Sequence, residues 1–211
     1  TITTDNNFAG ESPQDVLTYS MGYQIADSFA FGTVVITDIL SDGQTFVNGS
    51  ASLTFDRLGA TTLINPIVPA TVANADGSTT LTFDISGALV GAGHVDGGDL
   101  LGGCIPTGGS GAASLDCGAT NATSGTLTYQ ATINEAFTNT TGNNTNIDHG
   151  DELTNEAEIE GVVLAPSNLA PSATETGSND TSVAFNIVSS APTKTLHALN
   201  GTICAVANCA G

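Results

Sequence analysis

The chain has 211 residues, of which 40% are apolar, and this is enough to form the core of one large β domain or two small ones. Only Arg57 and Lys194 are basic against 21 acidic residues, and a formal charge of −19 argues against binding to nucleic acid or to an anionic membrane surface. No stretch approaches 18 apolar residues, so no membrane insertion is expected.

Alternation of apolar and polar residues predicts β-strands through most of the chain, and no window shows the spacing of an amphipathic helix. The first clear strand places Leu17, Tyr19, Met21, Tyr23 and Ile25 on one face. Further strands in the first half are predicted at residues 33–40, 51–56 and 79–85.

A glycine-rich loop is predicted at residues 87–124, and it contains the first of two close cysteine pairs. These pairs are Cys104 with Cys117 and Cys204 with Cys209. Because neither pair has the spacing of a zinc site, disulfides and an oxidising compartment are the preferred interpretation. A bridge over a loop of about 15 residues would stabilise this segment by ~3 kcal/mol.

The second half begins with a regular strand in which Leu127, Tyr129, Ala131 and Ile133 alternate with polar residues. Strands are also predicted at residues 153–163, 182–188 and 193–199, with a second long loop at 165–179. Eight or nine short strands favour an antiparallel β-sandwich with residues 1–190 as its body.

Residues 191–211 are predicted to form a separate segment that donates a strand to a neighbouring copy. The stretch APTKTLHALNGT has a proline start, an alternating run and an Asn-Gly turn, as at the start of a new β unit. Its anchoring residues would be Lys194, Leu196, Ala198 and Leu199. The neighbour is either the next repeat of one long protein or a separate subunit.

Four segments resemble the successive strands of isopeptide-forming fimbrial and collagen-adhesin-type surface domains: DVLTYSMGYQI, VVITDILSDGQTFVNGSASLTF, GTLTYQATINEAF and ELTNEAEIEG. A strand with a Lys-Thr step, which opens those domains, stands here at the end as PTKTLHALNG. The resemblance therefore implies an immunoglobulin-like β-sandwich that is a circularly shifted unit of a bacterial or archaeal surface stalk, adhesin or fibre.

The resemblance also implies a crosslink between Lys194 and Asn155, assisted by a buried acid at Asp38. Alternation independently places Asn155, Asp38 and Lys194 on apolar faces. Burial would keep the amine neutral and the carboxyl protonated, as the reaction requires. The alternatives are a lysine that protects a strand edge, an aspartate that caps a turn and an asparagine that binds buried backbone.

Two further kinds of site are left open. Oxygen ligands for Ca²⁺ could come from two acidic clusters, Asp96 with Asp99 and Asp148 with Asp151 and Glu152, although solvated acidic loops are the preferred explanation. Glycosylation is possible at six Asn-x-Ser/Thr sequons, with chance as the rival explanation in so threonine-rich a chain. These sequons begin at Asn48, Asn121, Asn139, Asn143, Asn179 and Asn200.

No enzyme is predicted, because the three histidines, His94, His149 and His197, stand in unrelated contexts without a catalytic motif. The sequence instead favours a secreted building block of an extracellular filament or surface stalk, which polymerises head to tail by donating its C-terminal strand. The alternative is a calcium-dependent module that binds glycans or cells through the loop at 87–124.

Overall fold

The structure is a computed structural model. It describes residues 2–4, 11–109, 117, 121–141 and 145–188, together with the backbone of 198–199 and 202–203. The strands in chain order are β1 (Ile2–Thr4), β2 (Val16–Gln24), β3 (Ala30–Leu40), β4 (Gln44–Phe46), β5 (Ser52–Arg57), β6 (Ala60–Ile64), β7 (Ala70–Ala73), β8 (Thr79–Asp84), β9 (Leu100–Leu101), β10 (Ser124–Ile133), β11 (Glu152–Leu164), β12 (Pro171–Asn186), β13 (Ala198–Leu199) and β14 (Thr202–Ile203). One helix, α1 (Ile85–Gly91), follows β8.

Two antiparallel sheets form the body of the molecule. The first sheet has the order β1-β2-β10-β5-β6, with β4 also paired to β10. The second sheet has the order β12-β11-β3-β8-β7, with β9 also paired to β3. The predicted all-β antiparallel sandwich is therefore confirmed, with β2 and β11–β12 at one side of the body and β6 and β7 at the other.

The core lies between the sheets because the strands alternate between buried and exposed positions. In β10 every second residue is buried, so Leu127, Tyr129, Ala131 and Ile133 all point inward as predicted. Leu53, Phe55, Leu81 and Phe83 meet them from both sheets. Burying each of these large side chains stabilises the fold by ~1.5–3 kcal/mol.

The predicted loop at 87–124 is wrong in its first part, because α1 occupies its start. Asp84 caps this helix by accepting a hydrogen bond from the Gly87 amide at 2.8 Å, and Leu89 is buried. Ser86 joins the helix to the second sheet, accepting from the Val34 amide and donating to the Gly98 carbonyl. Seven residues are too few to show a helical apolar stripe in the sequence.

The predicted loop at 165–179 is wrong in most of its length. Only a turn at residues 165–170 separates β11 from β12, and β12 pairs with β11 along nearly its whole length. Nearly all of its residues are exposed, so β12 has no alternating apolar face that could reveal it in the sequence. Its strand structure comes from backbone pairing with β11.

Candidate functional site

Asp38 and Asn155, two of the three residues predicted to form a crosslink, lie together in the core. Asn155 Nδ2 donates a hydrogen bond to Asp38 Oδ1 at 2.5 Å. The two side chains are diagonal neighbours on adjacent strands, because Asp38 on β3 stands opposite Ala157 on β11 and Asn155 stands opposite Leu40. Asp38 is fully buried and Asn155 nearly so, and their predicted inward orientation is confirmed.

Tyr129 is the third polar member of this cluster. Its hydroxyl accepts a hydrogen bond from Asn155 Nδ2 at 2.9 Å. The ring stands against Tyr19 and Phe83, with centroids 5.3 and 5.8 Å away. Burial and the nearby Asp38 carboxyl raise the pKa of the Tyr129 phenol well above its ordinary value, so it remains a neutral donor.

Burial is also the main influence on Asp38. Removal from water raises the pKa of the Asp38 carboxyl to about 6, against the opposing effect of the hydrogen bonds from Tyr129 and Asn155. Its second oxygen, Oδ2, is buried and has no hydrogen-bond partner among the described residues. A buried carboxyl oxygen without a partner costs free energy, which marks this position as suited to one more donor.

The strand that carries Asn155 is held in register by the turn after β3. Thr154 on β11 donates its amide to Ser41 Oγ at 2.9 Å, and its carbonyl accepts from Ser41 N and from Gln44 Nε2. Gln44 in turn accepts a hydrogen bond from the Tyr19 hydroxyl. Gly43 allows this turn, because its φ of +92° is a conformation that other residues rarely adopt.

An apolar groove separates the two sheets beside this cluster. It encloses about 490 Å³ between Met21–Ala26 on one side and parts of β3, β11 and β12 on the other. Ile36 and Ala157 line it. Ala157 is the pairing partner of Asp38 and lies two residues after Asn155, so the groove ends next to the Asp38–Asn155 pair. Met21, Phe31 and Ile159 contribute half-buried apolar surface.

One wall of the groove is an open strand edge. On its inner side β2 pairs with β10 along its length, but on its outer side it pairs with β1 only at Val16 and Leu17. Among the described residues nothing pairs with the outer edge of β2 from Met21 to Gln24. The free backbone groups of such an edge are a template for another strand.

The opposite wall has an acidic rim. Glu158, Glu160 and Asp180 belong to the strands that border the groove, and they are exposed on the outer face of the second sheet, opposite the inward-facing Ala157 and Ile159. Three carboxylates on the strands beside an apolar groove favour an occupant that carries positive charge and no acidic residue.

The predicted donor segment lies mostly outside the described residues. Lys194 and Leu196 belong to that part, as do Cys204 and Cys209. Ala198–Leu199 pairs with Thr202–Ile203 in a two-stranded sheet that joins neither sheet of the body. The pairing of Cys104 with Cys117 is present as predicted, with a sequence separation of 13 residues.

The acidic clusters predicted as calcium ligands have other partners. Asp96 forms an ion pair with Arg57 at 2.8 Å in which both side chains are fully buried, and Asp151 accepts a hydrogen bond from the Asp148 amide. Across the described part of the chain, no group of three or more His, Cys, Asp or Glu side chains is placed to hold a metal ion. Within that part of the chain, Asp99 and Glu152 therefore gain no metal-binding partners.

The sequons differ in accessibility. Asn48, Asn139 and Asn179 are exposed, Asn121 is half-buried, and Asn143 and Asn200 lie outside the described residues. Asn139 Oδ1 accepts a hydrogen bond from the Thr141 amide of its own sequon at 3.1 Å. The exposed sites remain predictions for sugar attachment.

Sequence reasoning missed the roles of Tyr129 and Arg57. Alternation places Tyr129 in the core, but only the fold brings its hydroxyl to Asn155, 26 residues along the chain. Arg57 connects three distant loop positions by donating to Asp96 and to the carbonyls of Ile105 and Asn121. The sequence offered one signal for this role: Arg57 is a lone arginine in an acidic chain, and a buried arginine is commonly paired with a carboxylate.

Similar solved structures include domains D2 and D3 of the major pilin SpaD from Corynebacterium diphtheriae, with a TM-score of 0.45 and 13% identity over 83% of this chain and 48% of that chain. The collagen-binding subdomain ACE19 of the Enterococcus faecalis surface protein ACE has a TM-score of 0.37 and 14% identity over 86% of this chain and 91% of that one. The Actinomyces fimbrial adhesin FimA has a TM-score of 0.33 and 14% identity over 82% of this chain and 51% of that one.

These solved structures are pilin, collagen-binding and fimbrial adhesin domains, the class of surface domain that the sequence resembles. This chain spans about half the length of the SpaD and FimA chains. No family model matches the chain, and no curated protein matches its sequence. Among the described residues no helix has the length and apolar character needed to cross a membrane.

Proposed function

We propose that this chain is a building block of an extracellular filament or surface stalk, in which residues 191–199 of one copy, the tail segment, fill the groove of the next. The observation that carries the proposal is the apolar groove bordered by the open edge of β2 and ending at Ala157, the pairing partner of Asp38, whose Oδ2 has no partner among the described residues. A strand added there would extend the first sheet with backbone hydrogen bonds and cover the groove with its apolar side chains.

The chemistry of the tail segment fits this groove. The segment APTKTLHAL carries Lys194 and no acidic residue, whereas the groove has the acidic rim of Glu158, Glu160 and Asp180. Since Arg57 is fully buried, Lys194 is the basic residue available for this contact. Leu196 and Leu199 are large enough to contribute ~1.5–3 kcal/mol each when buried.

An oxidising location is supported by the bridge between Cys104 and Cys117, which is the kind of bond that persists outside the cytosol. The many acidic residues keep individual copies soluble through mutual repulsion. Both features suit a secreted structural protein.

The same arrangement supports a covalent crosslink between copies. With the tail segment in the groove, the neutral Nζ of Lys194 would attack Cγ of Asn155, so that the Nζ–Cγ bond forms and the Cγ–Nδ2 bond breaks. Asp38, which contacts Nδ2, gives a proton to the leaving nitrogen and takes one from the attacking amine. The products are one amide bond and one ammonia, with no net change in protons on Asp38.

Removal of residues 191–211 tests the assembly. The full-length protein is expected to form filaments in electron micrographs and to sediment as large particles, whereas the truncated chain remains monomeric. Filaments that persist after truncation would contradict strand donation.

Two complementary full-length variants test the crosslink and its direction. Lys194→Ala can only accept a tail segment for crosslinking, and Asn155→Ala can only donate one. Each variant alone is expected to remain a single chain on a denaturing gel, and their mixture to form a covalent dimer with loss of about 17 Da. Ammonia loss by the wild-type protein without any covalent dimer would mean that the tail fills its own groove.

A further inference from the structure

Tyr129 has a contact that goes beyond packing, because its hydroxyl accepts a hydrogen bond from the same Asn155 nitrogen that donates to Asp38. Asn155 Nδ2 has two hydrogens, and it donates one to Asp38 Oδ1 and the other to the Tyr129 hydroxyl. These two contacts place the nitrogen of the amide, and not its oxygen, against the cluster.

We propose that Tyr129 is a positioning residue for the Lys194–Asn155 crosslink, holding the amide nitrogen of Asn155 against the carboxyl of Asp38. The inference rests on the proposed function, since it concerns the same bond. With both Nδ2 hydrogens held in hydrogen bonds, the side-chain amide of Asn155 cannot rotate. Its nitrogen, which leaves as ammonia, therefore stays in contact with the Asp38 carboxyl that protonates it. Fixing a reacting group in this way removes the entropy of orientation from the barrier.

The position of Tyr129 is itself rigid. Its strand, β10, is central in the first sheet, paired with β2 on one side and with β4 and β5 on the other. Its ring is packed by Tyr19 and Phe83 and by Phe46, whose centroid is 5.8 Å away in an edge orientation. A hydroxyl on so constrained a ring is a fixed point for Asn155, which comes from the opposite sheet.

Tyr19 provides a matched control. It is a second buried tyrosine, directly opposite Tyr129 in the first sheet, but its hydroxyl donates to Gln44 and does not contact Asn155. Replacing either tyrosine with phenylalanine removes one hydroxyl from the same region of the core. Only the change at Tyr129 frees the Asn155 amide.

The test measures the rate of covalent dimer formation between the Asn155→Ala donor and a Lys194→Ala acceptor that carries either Tyr129→Phe or Tyr19→Phe. Tyr129→Phe is expected to slow the reaction by roughly 10- to 100-fold, and Tyr19→Phe by less than about threefold. Non-covalent association, measured by sedimentation before the bond forms, should be equal in the two acceptors.

The pH dependence of this rate separates positioning from a loss of stability. The groups of the cluster that face Asp38 are Asn155 from β11, Tyr129 from β10 and Tyr19 from β2. Loss of the Tyr129 hydroxyl removes a donor to the carboxylate, so the limb of the pH–rate profile that reports Asp38 should move to higher pH. A change that only loosened the core would lower the rate without moving this limb.

Hydrogen exchange of the Asn155 side-chain amide gives a second measurement that needs no reaction. In the Lys194→Ala acceptor both Nδ2 hydrogens should be protected from exchange, and Tyr129→Phe should remove the protection of one. If Tyr129→Phe reacts at the acceptor's rate with an unchanged pH profile, the inference is overturned while the crosslink stands. If the unmodified acceptor forms no covalent dimer, the crosslink fails and the inference fails with it.

Discussion

Asn155 and Asp38 are 117 residues apart in the chain, yet the amide of one donates directly to the carboxyl of the other inside the core. They stand on neighbouring strands of the second sheet, two positions out of direct register. Asn155 Nδ2 also donates to the Tyr129 hydroxyl, so both of its hydrogens have acceptors. The pair is incomplete at Asp38, because Oδ2 lacks a hydrogen-bond partner among the described residues.

A charge placed in the groove should prevent assembly without unfolding the body. Met21 is only partly buried on β2, so Met21→Glu can stay solvated in the monomer but would be trapped against apolar side chains once the tail segment enters. We expect the association constant for assembly to fall by at least roughly 100-fold, measured by sedimentation.

Leu63→Glu is the matched control for that change. Leu63 lies on β6, at the other edge of the same sheet, and is 63% exposed. The same introduction of one carboxylate there should leave assembly nearly unchanged. Equal effects of the two variants would show that added negative charge, and not the groove, controls association.

Asp38 should make the free energy of unfolding depend on pH. Its pKa in the folded state is raised to about 6 by burial, from 3.8, so the folded protein holds this proton more tightly than the unfolded chain. The contribution of this bound proton to the free energy of unfolding is therefore fully present below pH ~4 and is lost as the pH rises to ~6. Above that pH, the free energy of unfolding no longer depends on Asp38. The total change is about 3 kcal/mol.

Asp38→Asn in the Lys194→Ala background isolates this effect, because every other carboxyl is common to both proteins. The stability of the parent relative to Asp38→Asn should fall between pH 4 and pH 7, as measured by urea unfolding. A pH-independent difference between the two proteins would contradict a raised pKa at Asp38.

Removing one partner of the buried Arg57–Asp96 pair should strongly destabilise the fold, whereas replacing both partners with apolar residues should be tolerated. Arg57→Met leaves the Asp96 carboxylate buried without its partner, and the carbonyl of Ile105 without its donor. We expect a loss of about 3–5 kcal/mol in chemical denaturation. The double variant Arg57→Met/Asp96→Leu should recover a large part of this loss, and a double variant as unstable as the single one would argue against the ion pair as the cause.

The bridge between Cys104 and Cys117 should stabilise the long segment that follows α1. Replacing both cysteines with serine frees a loop with a sequence separation of 13 residues and should cost about 3 kcal/mol of unfolding free energy. The comparison is made in a background in which Cys204 and Cys209 are serine. In that background a reductant should destabilise the bridged protein to the same extent and leave the serine variant unchanged.

The sequence predicts those parts of the fold and site that depend on the period of a β-strand. Because successive side chains alternate between faces, the apolar neighbours of Asp38 and Asn155 are enough to place both residues inside. The same pattern places Tyr129 in the core. That its hydroxyl meets Asn155 follows only from the packing of one sheet on the other, which no local pattern contains.

Two kinds of element could not be predicted from the sequence. The strand β12 has no buried face, so its pairing with β11 leaves no apolar alternation in its sequence. The helix α1 is too short for a helical period and depends on contacts of Ser86 with Val34 and Gly98. The ion pair of Arg57 with Asp96 joins residues 39 positions apart, and local sequence does not indicate which carboxylate a lone arginine will meet.

The burial of Arg57 leaves the outside of the body almost uniformly anionic, because its charge is neutralised internally by Asp96. Parallel fibres built from such bodies would therefore repel one another sideways, over a distance of about 8 Å at physiological ionic strength. In dilute media they would stay dispersed as single threads. In brine, where this repulsive layer thins, the same threads could gather into bundles.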